Sequence, residues 1–162
     1  MAILTEDMKR VVREQGLGFV ATVCPDGTPN LSPKGTTTVW DDDHLIFADL
    51  ASPKTMANLA LNPAVEVNVV DPILRKGYRF KGRAQVHADG PVFKQAVEFY
   101  KHLEASRIRG VAIIAVDHTA PLISPAYDSG ATEEQILERF ARRIEELHSW
   151  TIQSRPRTDV SG

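Results

Sequence analysis

The stretch Leu17-Gly18-Phe19-Val20-Ala21-Thr22-Val23-Cys24-Pro25-Asp26-Gly27-Thr28-Pro29-Asn30-Leu31-Ser32-Pro33-Lys34 decides the fold class. Its first part is dense in apolar residues and reads as a strand, Leu17 to Cys24. Pro25-Asp26-Gly27-Thr28 has the composition of a tight turn. The chain then returns as a second strand, predicted over 29–40 and rich in Thr36, Thr37, Thr38 and Val39. Asp41-Asp42-Asp43 makes the next turn, and His44 to Asp49 a third strand. Strands joined by turns this short pair antiparallel, so an antiparallel meander is expected here. A doubly wound parallel sheet is argued against, because parallel strands need long crossovers.

Working outward, Thr5 to Gln15 reads as a short amphipathic helix. Thr5 suits the N-cap, Glu6 and Asp7 the first turn, and Gly16 the stop. Pro53 to Leu61 reads as a helix ended by Asn62-Pro63. Ala64 to Val70 and Gly77 to Ala88 read as strands, with Gly82 marking a bulge or a close approach. Pro91 to Glu104 reads as a helix. Gly110 to Val116 is an apolar run suited to the middle of a sheet. The last helix opens on a capping box of Thr132 and Gln135. Ile136, Phe140, Ile144 and Leu147 form its apolar stripe, suited to packing on the sheet or on a second subunit.

The expected architecture is therefore a β-barrel with peripheral helices (α+β), a six-stranded antiparallel barrel. It is expected as one domain over 1–152, followed by a loose tail over 153–162.

With 162 residues, the chain can bury a real core. Hydrophobic residues make up 43% and charged ones 25%, as in ordinary globular proteins. The formal net charge of −2 gives no global field for nucleic acid. The single cysteine, Cys24, excludes an internal disulfide and a cysteine-based zinc site. At the end of an apolar strand it reads as a buried structural thiol. Glu6 and Asp7 interrupt any signal-peptide pattern, and no apolar run reaches the ~20 residues of a spanning helix. A cytoplasmic protein is expected. The five histidines, His44, His87, His102, His118 and His148, show no metal-ligand spacing. No Gly-rich dinucleotide or P-loop signature occurs.

The functional signal lies in Phe47-Ala48-Asp49-Leu50-Ala51-Ser52-Pro53-Lys54-Thr55. It reads as a strand end running directly into a helix start. Ser52 suits the N-cap and Pro53 the first helical position. A helix N-terminus carries unpaired N–H groups and a partial positive charge. Lys54 adds a full charge there, against the macrodipole. A bound anion, most simply a phosphate, would relieve that conflict. The plain alternative is a routine helix start with a solvated lysine.

Four segments together resemble the pyridoxamine 5′-phosphate oxidase-like family, whose fold is the FMN-binding split barrel. The first is Leu17 to Val23 with Asp26-Gly27-Thr28-Pro29 and Asn30 to Gly35. The second is Leu45 to Asp49 running into Ser52-Pro53-Lys54-Thr55. The third is Asn58-Leu59 to Asn62-Pro63 with Val65-Glu66-Val67. The fourth is Gly77 to Ala84. They span about residues 5 to 90.

The resemblance implies a homodimer with two FMN sites at the subunit interface. It implies that the flavin ring lies along Ser32, Pro33, Lys34, Gly35 and Thr36. It places the strand end Phe47, Ala48 and Asp49 beside the cofactor. It assigns the phosphate to Ser52, Pro53, Lys54 and Thr55. Lys34 has its own logic, since a cation near the ring's pyrimidine edge stabilises the reduced, anionic form. It reads otherwise as a solvent-facing strand lysine. Gly35 marks either a close ring approach or an ordinary bulge. Arg79 and Lys81 share a strand face, supplying charge to the phosphate or to the partner's site, or simply standing exposed.

Two departures concern substrate. Pro53 stands where oxidase members carry an arginine. No arginine-x-histidine pattern follows Trp150, although Arg155 and Arg157 are present, which argues against the vitamin as substrate. Ser124 to Asp128 reads as a connector, and Tyr100 and Trp150 as core or interface aromatics.

The expected function is an FMN-dependent oxidoreductase with a small-molecule substrate or electron donor. No side chain is assigned as acid or base, and no nucleic-acid or membrane partner is expected. The alternatives are a non-catalytic flavin carrier or redox sensor, and a deazaflavin-dependent reductase.

Overall fold

The computed structural model describes residues 2–101 and 107–154, with side chains described as far as Trp150. The chain divides into two compact units. One comprises 1–71 and 76–122, the other 72–75 and 123–162.

The first unit opens with helix α1 (Glu6–Gln15). The Thr5 side chain accepts from the Met8 N–H, and Gly16 closes the helix in the left-handed region at φ 58°. Strands β1 (Gly18–Val23) and β2 (Pro29–Lys34) form the predicted hairpin, paired from Gly18↔Lys34 to Val23↔Pro29. The long second strand is where the structure differs from expectation. It breaks at Gly35–Thr37, and its second half is a separate short strand, β3 (Thr38–Val39).

β3 pairs with β4 (His44–Asp49) and not with β1. The expected three-strand meander is thus two hairpins at opposite ends of the sheet. Helix α2 (Pro53–Leu61) follows, then β5 (Ala64–Asp71) and β6 (Lys76–His87), then helix α3 (Gly90–Phe99) and β7 (Gly110–Ile123). The predicted end of α3, at Glu104, lies outside the described residues, as does His102.

The sheet has seven strands in the order β2-β1-β5-β6-β7-β4-β3, against the six expected. Its two end strands are consecutive pieces of one stretch. The count changes because the chain exchanges β1 for β4 as its neighbour at Gly35–Thr37. The result is a curled antiparallel sheet of the split-barrel kind, with helices at its periphery. Gly18 leaves room at the corner, since a Cβ there would stand 2.6 Å from Thr37 Oγ1.

β4 explains its own sequence. Leu45 and Phe47 enter the main core with Val20, Val67, Phe80 and Ile114. Ile46 and Ala48 enter a second cluster with Ala96, Tyr100 and Val111. A strand buried on both faces reads as an unbroken apolar run. Cys24 is buried, as expected.

In the second unit, the Ser124 hydroxyl caps a single turn, α4 (Pro125–Asp128), within the stretch read as a connector. Helix α5 (Glu133–Ser154) opens on the predicted capping box. The Gln135 N–H donates to Thr132 Oγ1 at 3.3 Å, and the Thr132 N–H to Gln135 Oε1 at 3.2 Å. α5 extends into the stretch read as a tail, and residues 155–162, with Arg155 and Arg157, lie outside the described residues. On its apolar stripe Ile136 is buried, while Ile144 and Leu147 remain 48% and 44% exposed. Among the described residues no helix is long and apolar enough to cross a membrane.

Candidate functional site

The end of β2 and the junction from β4 to α2 lie in the first unit, joined just beyond β2 by the bonds of Thr36 to Ala48. Lys34, 4% exposed, donates from Nζ to Ser32 Oγ. Its ammonium stands 6.0 Å from the Phe47 ring centroid, near the range of a cation–π contact. It also interacts with the charge of Asp49, which is 6% exposed. Asp49 Oδ1 in turn accepts from the Ser52 N–H at 2.5 Å. Lys34 is therefore no solvent-facing strand lysine. Burial pushes its pKa below the ordinary value, and the charge of Asp49 partly offsets that.

Thr36 extends the β3–β4 register without belonging to a strand. Thr38 pairs with Ile46, so position 36 falls opposite Ala48. There the Thr36 hydroxyl accepts from the Ala48 N–H at 2.9 Å and donates to the Ala48 carbonyl at 3.1 Å. The side chain replaces the missing ladder bonds, which leaves the backbone of Gly35 free to turn outward. Gly35 is exposed, and a Cβ there would meet nothing within 4 Å. A cavity of about 230 Å³ lies against Gly35, Thr36 and Thr37. Tyr100 lines it and donates from its hydroxyl to the Thr36 carbonyl at 2.8 Å. Tyr100, read from the sequence as a core or interface aromatic, is 2% exposed and belongs to the second cluster.

At the α2 start, Ser52 occupies the N-cap position, but its hydroxyl makes no cap bond. Pro53 has no N–H, so the free donors of the first turn are the N–H groups of Lys54 and Thr55. The next one, on Met56, bonds to the Ser52 carbonyl at 3.1 Å. The Lys54 side chain is exposed, while that of Thr55 is 2% exposed and faces inward. Lys54 lies within Coulombic reach of Asp26 in the β1–β2 turn. The carboxyl of Asp26 is held low mainly by hydrogen bonds from Thr28.

The side chains of Phe47 and Ala48 belong to the two cores, so they shape the junction from beneath. Pro33 lies on the opposite face of β2 from Ser32 and Lys34, and is exposed. Arg79 is not brought into this cluster. It stands on β6 opposite Asn68, with Nε 2.8 Å from Glu66 Oε1 at an angle that makes no hydrogen bond. Lys81 approaches the same carboxylate at 3.3 Å. Glu66 thus offsets much of the basic face on which both stand.

This geometry has relatives. The family model of pyridoxamine 5′-phosphate oxidase matches residues 4–120. HupZ of Group A Streptococcus is 31% identical, with a TM-score of 0.69 over 75% of this chain and 96% of that one. An FMN-binding protein of Syntrophomonas wolfei is 16% identical, with a TM-score of 0.61 over 73% of this chain and 85% of that one. An F420 reductase is 21% identical, with a TM-score of 0.57 over 72% and 98% of the respective chains. These last two likenesses concern the fold. No curated protein matches the chain. The matched segment runs from just before α1 into β7 and contains the bent β2–β3 corner and the β4–α2 junction, so the chain belongs to the pyridoxamine 5′-phosphate oxidase family.

Proposed function

We propose that the chain is an FMN-binding flavoprotein and an FMN-dependent oxidoreductase. The observation that carries the reading is the burial of Lys34, at the end of β2, in the same unit as the β4–α2 junction, where Asp49 accepts the Ser52 N–H at a helix start with spare donors. In this reading the Ser52 hydroxyl, the Lys54 amine and the N–H groups of Lys54 and Thr55 hold the phosphate. Pro53 fixes the turn from which they project. Ser32, Pro33, Lys34, Gly35 and Thr36 lie along the ring. The open space at Gly35 admits a flat group against the backbone. Phe47, Ala48 and Asp49 support the junction from the core side.

The bound flavin supplies the acceptance and return of electrons, as hydride or singly. The protein's part is to bind, to orient and to favour negative charge beside β2 through the Lys34 ammonium. The cavity of about 230 Å³ is smaller than sites that enclose a whole cofactor. A homodimer, with a second subunit completing each site, accounts for that. Arg79, which stands against Glu66 in the single subunit, supplies charge to the partner's site in this reading. Residues 1–152 act as the flavin-binding domain, in the cytoplasm.

The test is direct. Protein purified from cells, or mixed with FMN, should be yellow, and should run as a dimer in light scattering. Turnover with a nicotinamide donor separates an enzyme from a carrier or sensor. The similarity to an F420 reductase supports a second reading, with a deazaflavin in the same berth. Colourless protein that ignores FMN but binds the deazaflavin would select it. Protein that binds neither would sink both.

A further inference from the structure

The second unit contains a cavity of about 260 Å³ between the Pro72–Arg75 hairpin tip and one face of α5. Ile73, Ile136 and Phe140 give it apolar walls. Its charged lining is of one sign: Arg75, Arg139 and Arg143, with no carboxylate among the lining residues. Arg139 and Arg143 are four apart on one helix, a spacing at which like charges disfavour the helix. Among the described residues, neither Arg75 nor Arg139 forms an ion pair. Arg143 has only Glu146, at 3.9 Å, and both side chains are more than 60% exposed, so that pair contributes little.

Arg75 adds an independent signal. Among the described residues it is the one non-glycine with positive φ, at 55°. A glycine would adopt that conformation without strain. The chain instead holds a long cation there, against its backbone preference, beside two others.

We propose that this cavity binds a small phosphomonoester with an apolar body. Each guanidinium presents a planar fork of donors. Three such groups suit the three terminal oxygens of a phosphate better than the two of a carboxylate. At about 30 Å³ per water, the cavity holds the volume of roughly eight or nine waters. That admits a single small ring or short alkyl group against Ile136 and Phe140. None of these residues is placed against the flavin in the reading above, so the two proposals stand or fall separately.

The experiment uses the full chain, labelled for NMR of arginine Nε–H groups, with phenyl phosphate as probe. Phenyl phosphate should bind saturably and shift the signals of Arg75, Arg139 and Arg143 above all others. Inorganic phosphate should bind at least tenfold more weakly, and benzyl alcohol should leave the arginine signals in place. Replacing both helix arginines (Arg139→Gln with Arg143→Gln), which are surface positions, should weaken phenyl phosphate at least tenfold while FMN uptake stays as in the parent. Arg75→Gly should weaken the probe severalfold yet raise the thermal midpoint, since it removes both a charge and a strained conformation. The proposal is overturned by any of four results: no saturable shift, equal affinity for inorganic phosphate, unchanged probe binding in the double variant, or loss of FMN uptake with it.

Discussion

The carboxylate of Asp49 accepts the backbone N–H of Ser52 at 2.5 Å, and its charge partly offsets the cost of burying the Lys34 ammonium. One side chain therefore holds the turn into α2 and also bears electrostatically on the cation at the end of β2. Asp49→Ala removes the acceptor of the Ser52 N–H and should cost about 1.5–3 kcal/mol in urea unfolding. Lys34→Met in the same background should recover part of that loss, because the buried charge that Asp49 offsets is gone. A double variant as unstable as the sum of the two singles would show that the residues do not interact.

The same lysine couples ligand binding to protons. Burial lowers the folded-state pKa of Lys34 beneath its ordinary 10.5. Unfolded chains therefore hold the proton more tightly, and stability rises with pH between the folded value and 10.5. Below that window the cost of burying the charged amine is fully present. An anion bound beside β2 restores proton affinity. FMN binding in that alkaline window should take up protons, detected as a buffer-dependent binding enthalpy in calorimetry. Lys34→Met should abolish the uptake. Identical uptake by parent and variant would assign it elsewhere.

The contrast between Asp49 and Gly35 shows what the sequence could convey. The β1–β2 hairpin, the strand-to-helix junction and the α5 capping box are local, and each was legible from turn and cap chemistry. The break at Gly35–Thr37 was not. Thr36, Thr37 and Thr38 all favour strands, so propensity ran straight through a corner set by a change of neighbour from β1 to β4. The burial of Lys34 was hidden for the same reason: the groups that tolerate it, on β2 and β4, meet only in the folded sheet. At Arg75 no local sequence signal marks a positive φ in a non-glycine.

Lys54 is exposed at the first turn of α2, where the macrodipole disfavours a cation. Its removal should leave folding almost unchanged, since it carries no buried contact. FMN affinity should fall by about 1.5–3 kcal/mol, the worth of a charge-assisted bond, or roughly 10- to 150-fold. Fluorescence titration of Lys54→Ala against the parent measures this. A loss within twofold would take Lys54 out of the phosphate site, while a larger loss confined to low salt would mark it as a steering charge only.

Gly82 tests the barrel itself. A Cβ at this position would stand 2.0 Å from the Ala115 carbonyl oxygen and 3.1 Å from the Val116 Cα. Both are backbone atoms of β7, which sits between β6 and β4 in the interior of the sheet. Neither can yield without parting the β6–β7 ladder. Gly82→Ala should therefore cost about 3 kcal/mol or more, at the upper end for overpacked sites. The loss should appear as a lower urea midpoint with an unchanged slope, because the same surface is exposed on unfolding. The effect should also reach the cofactor berth, since β7 pairs with β4 from His44↔Ala115 to Asp49↔Gly110. A Gly82→Ala protein as stable as the parent would mean that β6 and β7 are not in contact at this point, and the strand order given above would have to change.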